Sequence, residues 1–414
     1  MTKPPKGWKI ERLDKLAEVQ TGIAKGAQKE RPVVSLPYLR VANVQDGHVD
    51  LTEMKCIEVP ERKVNRFLLR RGDLLMTEGG DFDKLGRGCI WEGQIEPCVH
   101  QNHVFAVRVT SPHLRNDFLA KLTASPWGRR YFLRCSKKST NLASINTSQL
   151  KAFPILLPPL HEQTRIAAIL DAWNTGIEIL KKLVTAKNQR LTALRQQLLT
   201  GTRRFPEFKK QSWITKKIGG LLKSVNRYED WNDKRVFKLA GVRRNSGGVF
   251  FRDELLGNQI KVKVCKKILA GDFLISRRQI TWGGMSIVPQ EFHGYDVNDE
   301  YEVLQVIDSS VFDMRFFHYL SQTAKLKNLA YLASNGVFAE RLRLNFDLKA
   351  FLHQAIRIPP TKEEQLKIVT LLDACVREIR LLEADLDSLK QQKHGLVQKL
   401  LTGDLRVKTK GKSK

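Results

Sequence analysis

The sequence predicts a mixed α+β protein built twice over: two similar globular units and two long helices that pair as a coiled coil, an internal repeat of pseudo-two-fold character. Three observations predict it. Residues 163–201 return as residues 365–403 at a constant offset of 202 with no gap, both copies carry an apolar heptad, and strand signals precede each copy in the same order. A period near half the chain is too long for a solenoid unit and marks two similar halves.

The two copies share Leu170-Asp171-Ala172 and Leu372-Asp373-Ala374 and close on Leu198-Leu199-Thr200-Gly201 and Leu400-Leu401-Thr402-Gly403. Their apolar residues step by alternating fours and threes. The first seam holds Ile166, Leu170, Trp173, Ile177, Leu180, Leu194 and Leu198; the second holds Ile368, Leu372, Ile379, Leu382, Leu386, Leu396 and Leu400. Such a seam asks for a partner helix, and it is too narrow to cover a globular core, so each helix is expected to take the other. Lys187 and Lys393 stand at seam positions, where a buried charge is costly, so a gap in the pair or a contact with a partner protein is expected there. Pro158-Pro159 and Pro359-Pro360 stop the preceding strands, Glu162 and Glu363-Glu364 suit the helix starts, and Gly201 and Gly403 stand where left-handed caps are expected.

Ahead of each helix the elements run in parallel. A Trp-led apolar segment over residues 8–20 returns from Trp213 to Val225, and residues 38–44 read as a strand followed by the turn Gln45-Asp46-Gly47. Gly72-Asp73 and Gly271-Asp272 each turn into a buried strand, and the Gly-Asp pairs are read as turns rather than catalytic carboxylates. A polar, glycine-containing loop follows each: residues 77–87 in the first half and 276–284 in the second. Strands resume at residues 104–109 and 301–306, then helices carrying Leu114, Phe118 and Leu122 or Phe312, Phe316 and Leu320. The organisation is thus 1–152 for the first unit, 153–205 for the first long helix, 206–354 for the second unit, 355–406 for the second helix and 407–414 for a basic tail.

Charge narrows the function. Lys and Arg number 71 against 43 acidic residues, a formal net charge of +28, which points to a polyanionic partner, nucleic acid first. A membrane surface is the competing polyanion, but there is no basic amphipathic helix, lipidation signal, signal core or spanning apolar run. Six cysteines without CxxC pairing fit a reducing cytoplasm.

These features together resemble the specificity subunit of a type I restriction-modification system. The resemblance covers essentially the whole chain; its strongest motifs are Pro158-Pro159-Leu160-His161-Glu162-Gln163 and Pro359-Pro360 through Glu364-Gln365, the second with one inserted residue. It implies two target recognition domains, each reading half of a split double-stranded DNA sequence, separated by two conserved antiparallel helices. It also implies partners: modification subunits that carry the methyltransferase and use S-adenosylmethionine, and restriction subunits that carry an ATP-driven, Mg-dependent motor nuclease. Outside the scaffold the halves differ, as in Glu78-Gly79-Gly80 against Arg277-Arg278-Gln279, so an asymmetric target is expected.

Candidate base or phosphate contacts are Lys84 and Arg87 in the first polar loop, and Arg243, Arg244, Arg277, Arg278 and Gln279 in the second half; most such contacts position on phosphate rather than specify. Cys98, His100 and His103 are ligand-type residues, but in an extended segment His103 faces away from the other two, so no metal site is read there. The sequence carries no phosphate-binding G-x-x-x-x-G-K-[ST] loop, no Asn- or Asp-Pro-Pro tetrad of an amino-methyltransferase and no triad or carboxylate pair, so a non-catalytic subunit without a cofactor of its own is expected. Two other readings stay open at this stage: a self-contained methyltransferase or nuclease with a divergent active site, and a basic coiled-coil scaffold for RNA or ribosomes.

Overall fold

Each half opens with a short strand that pairs onto the strand leading into its long helix. The computed structural model describes residues 4–26, 31–81, 85–138, 142–335 and 345–407. Two compact units emerge, one of Met1–Lys181 with Ala384–Lys414 and the other of Lys182–Glu383, so each long helix is divided between them.

The first unit carries β1 (Lys9–Arg12), β2 (Ala17–Thr21), β3 (Val33–Leu39), β4 (Lys55–Pro60), α1 (Val64–Phe67), β5 (Leu74–Thr77), β6 (Gly79–Asp81), β7 (Gly88–Ile90), β8 (Val99–His100), β9 (Val104–Val109), α2 (Asn116–Ala124), α3 (Pro126–Cys135), β10 (Lys137–Lys138), β11 (Leu142–Ser144), α4 (Thr147–Lys151) and β12 (Pro154–Leu157), then enters α5 (Leu160–Thr200). The second carries β13 (Ile214–Lys217), β14 (Leu222–Ser224), β15 (Val236–Val242), β16 (Val249–Leu256), β17 (Cys265–Lys267), β18 (Phe273–Ser276), β19 (Met285–Ile287), β20 (Asp296–Asn298), β21 (Tyr301–Val306), α6 (Met314–Ser321), α7 (Ala324–Leu332), β22 (Ser334–Asn335), β23 (Asn345–Phe346), α8 (Leu348–His353) and β24 (Ala355–Ile358) before α9 (Lys362–Thr402).

Two of the sheets match strand for strand. Order β2-β9-β5-β7 in one unit is β14-β21-β18-β19 in the other, all antiparallel, and β1-β12 is matched by β13-β24. A second sheet, β4-β3-β8 or β16-β15-β20-β17, has one parallel pairing in each unit, β3 with β8 and β15 with β20. The Gly-Asp turns precede the central strands β5 and β18, with Gly72 at φ +94° and Gly271 at φ +88°, backbone that a side chain would strain. Their aspartates do more than turn. Asp73 is buried and takes Arg108 Nε at 2.8 Å and Nη2 at 2.6 Å, while Asp272 is buried and takes both terminal nitrogens of Arg227 at 2.7 and 3.0 Å plus Gln305 Nε2 at 3.0 Å.

The helices expected to carry Leu114 and Phe312 begin just after those residues, at Asn116 and Met314, and two other predicted elements shift. The strand expected over residues 38–44 is β3, Val33–Leu39, followed by a 3-10 turn at Val41–Asn43. Pro32 and Pro37 hid the strand's start, and the Asn43 side chain ends it by accepting from Arg40 N at 2.9 Å and donating to the Asp50 carbonyl at 2.8 Å, a local alternative to the ladder. The first polar loop is partly strand, because β6 pairs with β11.

Both long helices are 41 residues and keep the 202 offset from Leu160/Lys362 to Thr200/Thr402. The inserted residue therefore sits in the linker Pro359-Pro360-Thr361. Gly201 at φ +74° and Gly403 at φ +80° end them.

The seam residues do more than pair with each other. Ile166, Leu170, Leu400 and Leu401 join the first unit's core with Phe118, Phe132 and Phe153, and Leu194, Leu198, Leu199, Ile368, Leu372 and Ile379 join the second unit's core with Phe273 and Phe316. The expectation that the stripe is too narrow for a globular core fails at the helix ends, where Leu198-Leu199, Ile368-Val369 and Leu400-Leu401 widen it. Away from those ends, Ile177 and Leu386 are buried, and Trp173, Leu180, Leu382 and Leu396 are half-buried. At Lys187 the gap is filled by charge: its Nζ lies 2.5 Å from Glu378 Oε1 on α9.

Candidate nucleic-acid interface

The start of each long helix is bolted to its globular unit by a buried glutamate and glutamine. Glu162 accepts Trp8 Nε1 at 3.2 Å and Arg406 Nε at 2.9 Å; Glu364 accepts Trp213 Nε1 at 3.3 Å and Arg204 Nε and Nη2 at 2.8 and 2.7 Å. Each arginine lies just past the end of the other long helix, so within each unit one helix starts where the other stops and the two run antiparallel. Burial pushes the Glu162 carboxyl up, but the bonds from Arg406 and Trp8 outweigh it and hold it below the ordinary value. Gln163 and Gln365 repeat one another bond for bond. Each side-chain carbonyl accepts a backbone N–H ahead of the short helix, Arg115 N at 2.9 Å or Asp313 N at 3.0 Å, and each amide donates to the proline carbonyl at the linker, Pro158 at 2.8 Å or Pro359 at 3.4 Å. Asp171 and Asp373 latch the same short helix through different chemistry, Lys121 at 2.8 Å in one unit and the Tyr319 hydroxyl at 2.5 Å in the other.

This scaffold presents the tips. In the second unit the turn between β15 and β16 holds Asn245 at φ +54° and Ser246 at φ +56°, left-handed backbone that is uncommon in non-glycine residues. The turn is tied to the 276–284 loop: Asn245 N donates to the Trp282 carbonyl at 2.6 Å and Ser246 N to the Gly283 carbonyl at 2.9 Å. Two loops thereby become one fixed protrusion. At its edge the Arg244 guanidinium lies 5.7 Å from the Trp282 ring centroid, and Trp282 is 49% exposed. Arg243 is exposed and lies over Phe250 at 4.9 Å.

The other predicted contacts are placed differently. Arg277 Nε is 2.5 Å from the buried carboxylate of Glu302, and Arg278 pairs with Glu300 on the surface. Gln279 is half-buried, and its backbone carbonyl closes the loop by accepting from Gly284 N at 2.8 Å. Arg87 is half-buried, its carbonyl accepts from Thr77 N at 3.0 Å, and its Nε is buried without a partner among the described residues. Lys84 lies outside the described residues. Cys98 and His100 are buried, burial pushing the thiol up to about 12 and the imidazole down to about 4, while His103 is on the surface with Nδ1 2.5 Å from Glu78 Oε2. Sequence reading missed Trp282, and it missed the Glu162 and Glu364 clamps, whose signal was available: Arg204 and Arg406 share the offset of 202 with the helices they close.

The family model for the type I restriction modification DNA specificity domain matches this chain twice, over residues 5–186 and 210–391. The chain belongs to that family. Each copy of the specificity domain covers one globular unit's strands together with most of the long helix that follows. Among relatives, a Methanocaldococcus jannaschii protein named as the MjaX type I restriction enzyme specificity subunit is 25% identical over 98% of this chain and 95% of that one. The Escherichia coli EcoKI specificity subunit is 28% identical over 44% of this chain and 39% of that one. The fold is shared with the HsdS subunit of Thermoanaerobacter tengcongensis, TM-score 0.57 at 18% identity over 98% of this chain and 99% of that one. It is shared too with a chain solved in work on assembly and conformational transition of the type I R-M system, TM-score 0.60 at 17% identity over 98% of this chain and 100% of that one. No helix among the described residues is long and apolar enough to cross a membrane.

Proposed function

We propose that this chain is the DNA-recognition subunit of a type I restriction-modification complex, reading an asymmetric, two-part duplex target and contributing recognition and scaffolding rather than chemistry. The observation that carries the reading is the double match to the specificity domain, over residues 5–186 and 210–391, combined with loop sequences that differ between the copies, as in Glu78-Gly79-Gly80 against Arg277-Arg278-Gln279. Duplicated cores and bolted helices hold two frames of the same construction, and the exposed side chains on those frames are unlike, so each unit reads its own half-site. The positive charge supplies attraction to phosphate. Modification subunits bringing S-adenosylmethionine and restriction subunits bringing ATP and Mg supply the reactions in the cytoplasm, and this chain needs no cofactor for its part.

Binding selection from random duplexes with the full chain tests the reading. One preferred bipartite sequence, separated from non-specific binding at the same salt, is expected; uniform affinity for all sequences refutes it. Exchanging residues 206–352 for those of another family member should change one half-site and leave the other, and a change in both refutes modular reading. Methylome sequencing with and without the chain identifies the site that its complex modifies.

A further inference from the structure

A cleft of about 920 Å³ in the second unit opens between α6, the β15–β16 turn and flanking stretches of α5 and α9. Four arginines line it, Arg195, Arg315, Arg377 and Arg380, against Asp373 and Glu291. Two of these six are already engaged: Asp373 accepts the Tyr319 hydroxyl at 2.5 Å, and Arg315 pairs with Asp313 at 3.2 Å. Among the described residues no carboxylate pairs with Arg195, Arg377 or Arg380. Arg195 is half-buried with its guanidinium 5.5 Å from the Tyr319 ring centroid, and its Nε is buried without a hydrogen-bond partner among the described residues. Three guanidinium groups without a carboxylate partner among the described residues, two of them exposed, concentrate positive charge at an open cleft, and planar forked donors match a phosphate oxyanion best.

The arrangement belongs to one unit only. At the offset of 202, Arg195, Arg377 and Arg380 correspond to Val397, Thr175 and Glu178, none of them cationic. Arg315 corresponds to Asp117, counting from the matched backbone donors Asp313 and Arg115.

We infer that this cleft grips a backbone phosphodiester of duplex DNA, so that the second unit holds the duplex through residues of the long helices as well as through its tip. The inference rests on the DNA-recognition reading. Duplex is favoured as the source because Asn245 and Ser246 of the exposed protrusion form the cleft's rim. A polymer lying against Arg244 and Trp282 runs on past that rim, whereas a free nucleotide or inorganic phosphate presents the same oxyanion without the continuity.

The test is fluorescence anisotropy on the full chain with a random-sequence duplex at several salt concentrations, comparing wild type with R377Q/R380Q and with R195K. R377Q/R380Q is expected to lower affinity roughly tenfold at low salt and to reduce the salt slope by about 1, the signature of one lost phosphate contact, with R195K intermediate. The melting midpoint of R377Q/R380Q should match wild type, since Arg377 and Arg380 are exposed. Unchanged affinity and slope overturn the inference. Calorimetric titration with ATP and with inorganic phosphate separates the sources, because arginine-dependent binding of these alone, with duplex binding intact, also overturns it. Failure of the wider reading looks different: no preferred bipartite sequence in selection, while the salt slope still responds to the arginines.

Discussion

Replacing Glu364 by Gln tests whether the clamp at the start of α9 holds the second unit together. The carboxylate is 1% exposed in its side chain and receives three bonds, from Arg204 Nε at 2.8 Å, Arg204 Nη2 at 2.7 Å and Trp213 Nε1 at 3.3 Å. Arg204 is 12% exposed and is also anchored by donating Nη1 to the Gln211 carbonyl, so it cannot swing out to water when its partner loses charge. Removing one member of a buried pair costs about 3–5 kcal/mol, and the amide retains some hydrogen bonding, which places the loss near the lower end at about 3 kcal/mol. For a unit of this size each kcal/mol moves the midpoint by roughly 2–4 °C, so the second unit should melt about 6–12 °C earlier. Scanning calorimetry of the full chain measures this, with hydrogen exchange in the first turn of α9 assigning the shift to the right unit. Replacing both residues by Met should recover part of the loss, because no uncompensated charge is then buried. A shift under about 2 °C for the single change, or a double variant as damaged as the two singles summed, would refute the clamp.

Acid should weaken the first unit through Glu162: its folded carboxyl lies below the ordinary 4.5, so its stabilisation is present above that pH and is lost as pH falls through the lowered value, which a pH series of melts on wild type and E162Q would show as convergence in acid. Ile379→Ala, at a position 6% exposed in the second core, should cost about 2–4 kcal/mol by urea unfolding, and Leu382→Ala, half-buried one step along the seam, should cost less than half of that. Lys187→Met should change stability by less than about 1 kcal/mol, since its pair with Glu378 keeps 27% and 48% of the two side chains exposed. Arg244→Ala should leave the melting midpoint in place while reducing discrimination at one half-site by about 1–3 kcal/mol in competition binding.

The duplication, the heptads, the Gly-Asp turns and the proline-bounded helix starts were all legible before any coordinates, because each is a local rule of spacing or backbone angle written in contiguous residues. The repeat announced two similar frames, and the charge pointed to a polyanion. Tertiary structure alone decided the partnerships between distant residues. Sequence spacing cannot say that Arg406 reaches Glu162, that Arg108 and Arg227 reach the turn aspartates, or that Arg277 is drawn to Glu302, since a side chain's bonds depend on which neighbours the fold delivers. The helix pair shows the same division: its period was visible in the leucines, but whether a given leucine meets the opposite helix or a globular core depends on where the chain folds back. The arginine cleft is the furthest case, because Arg195, Arg315 and Arg380 come together only when three helices have packed.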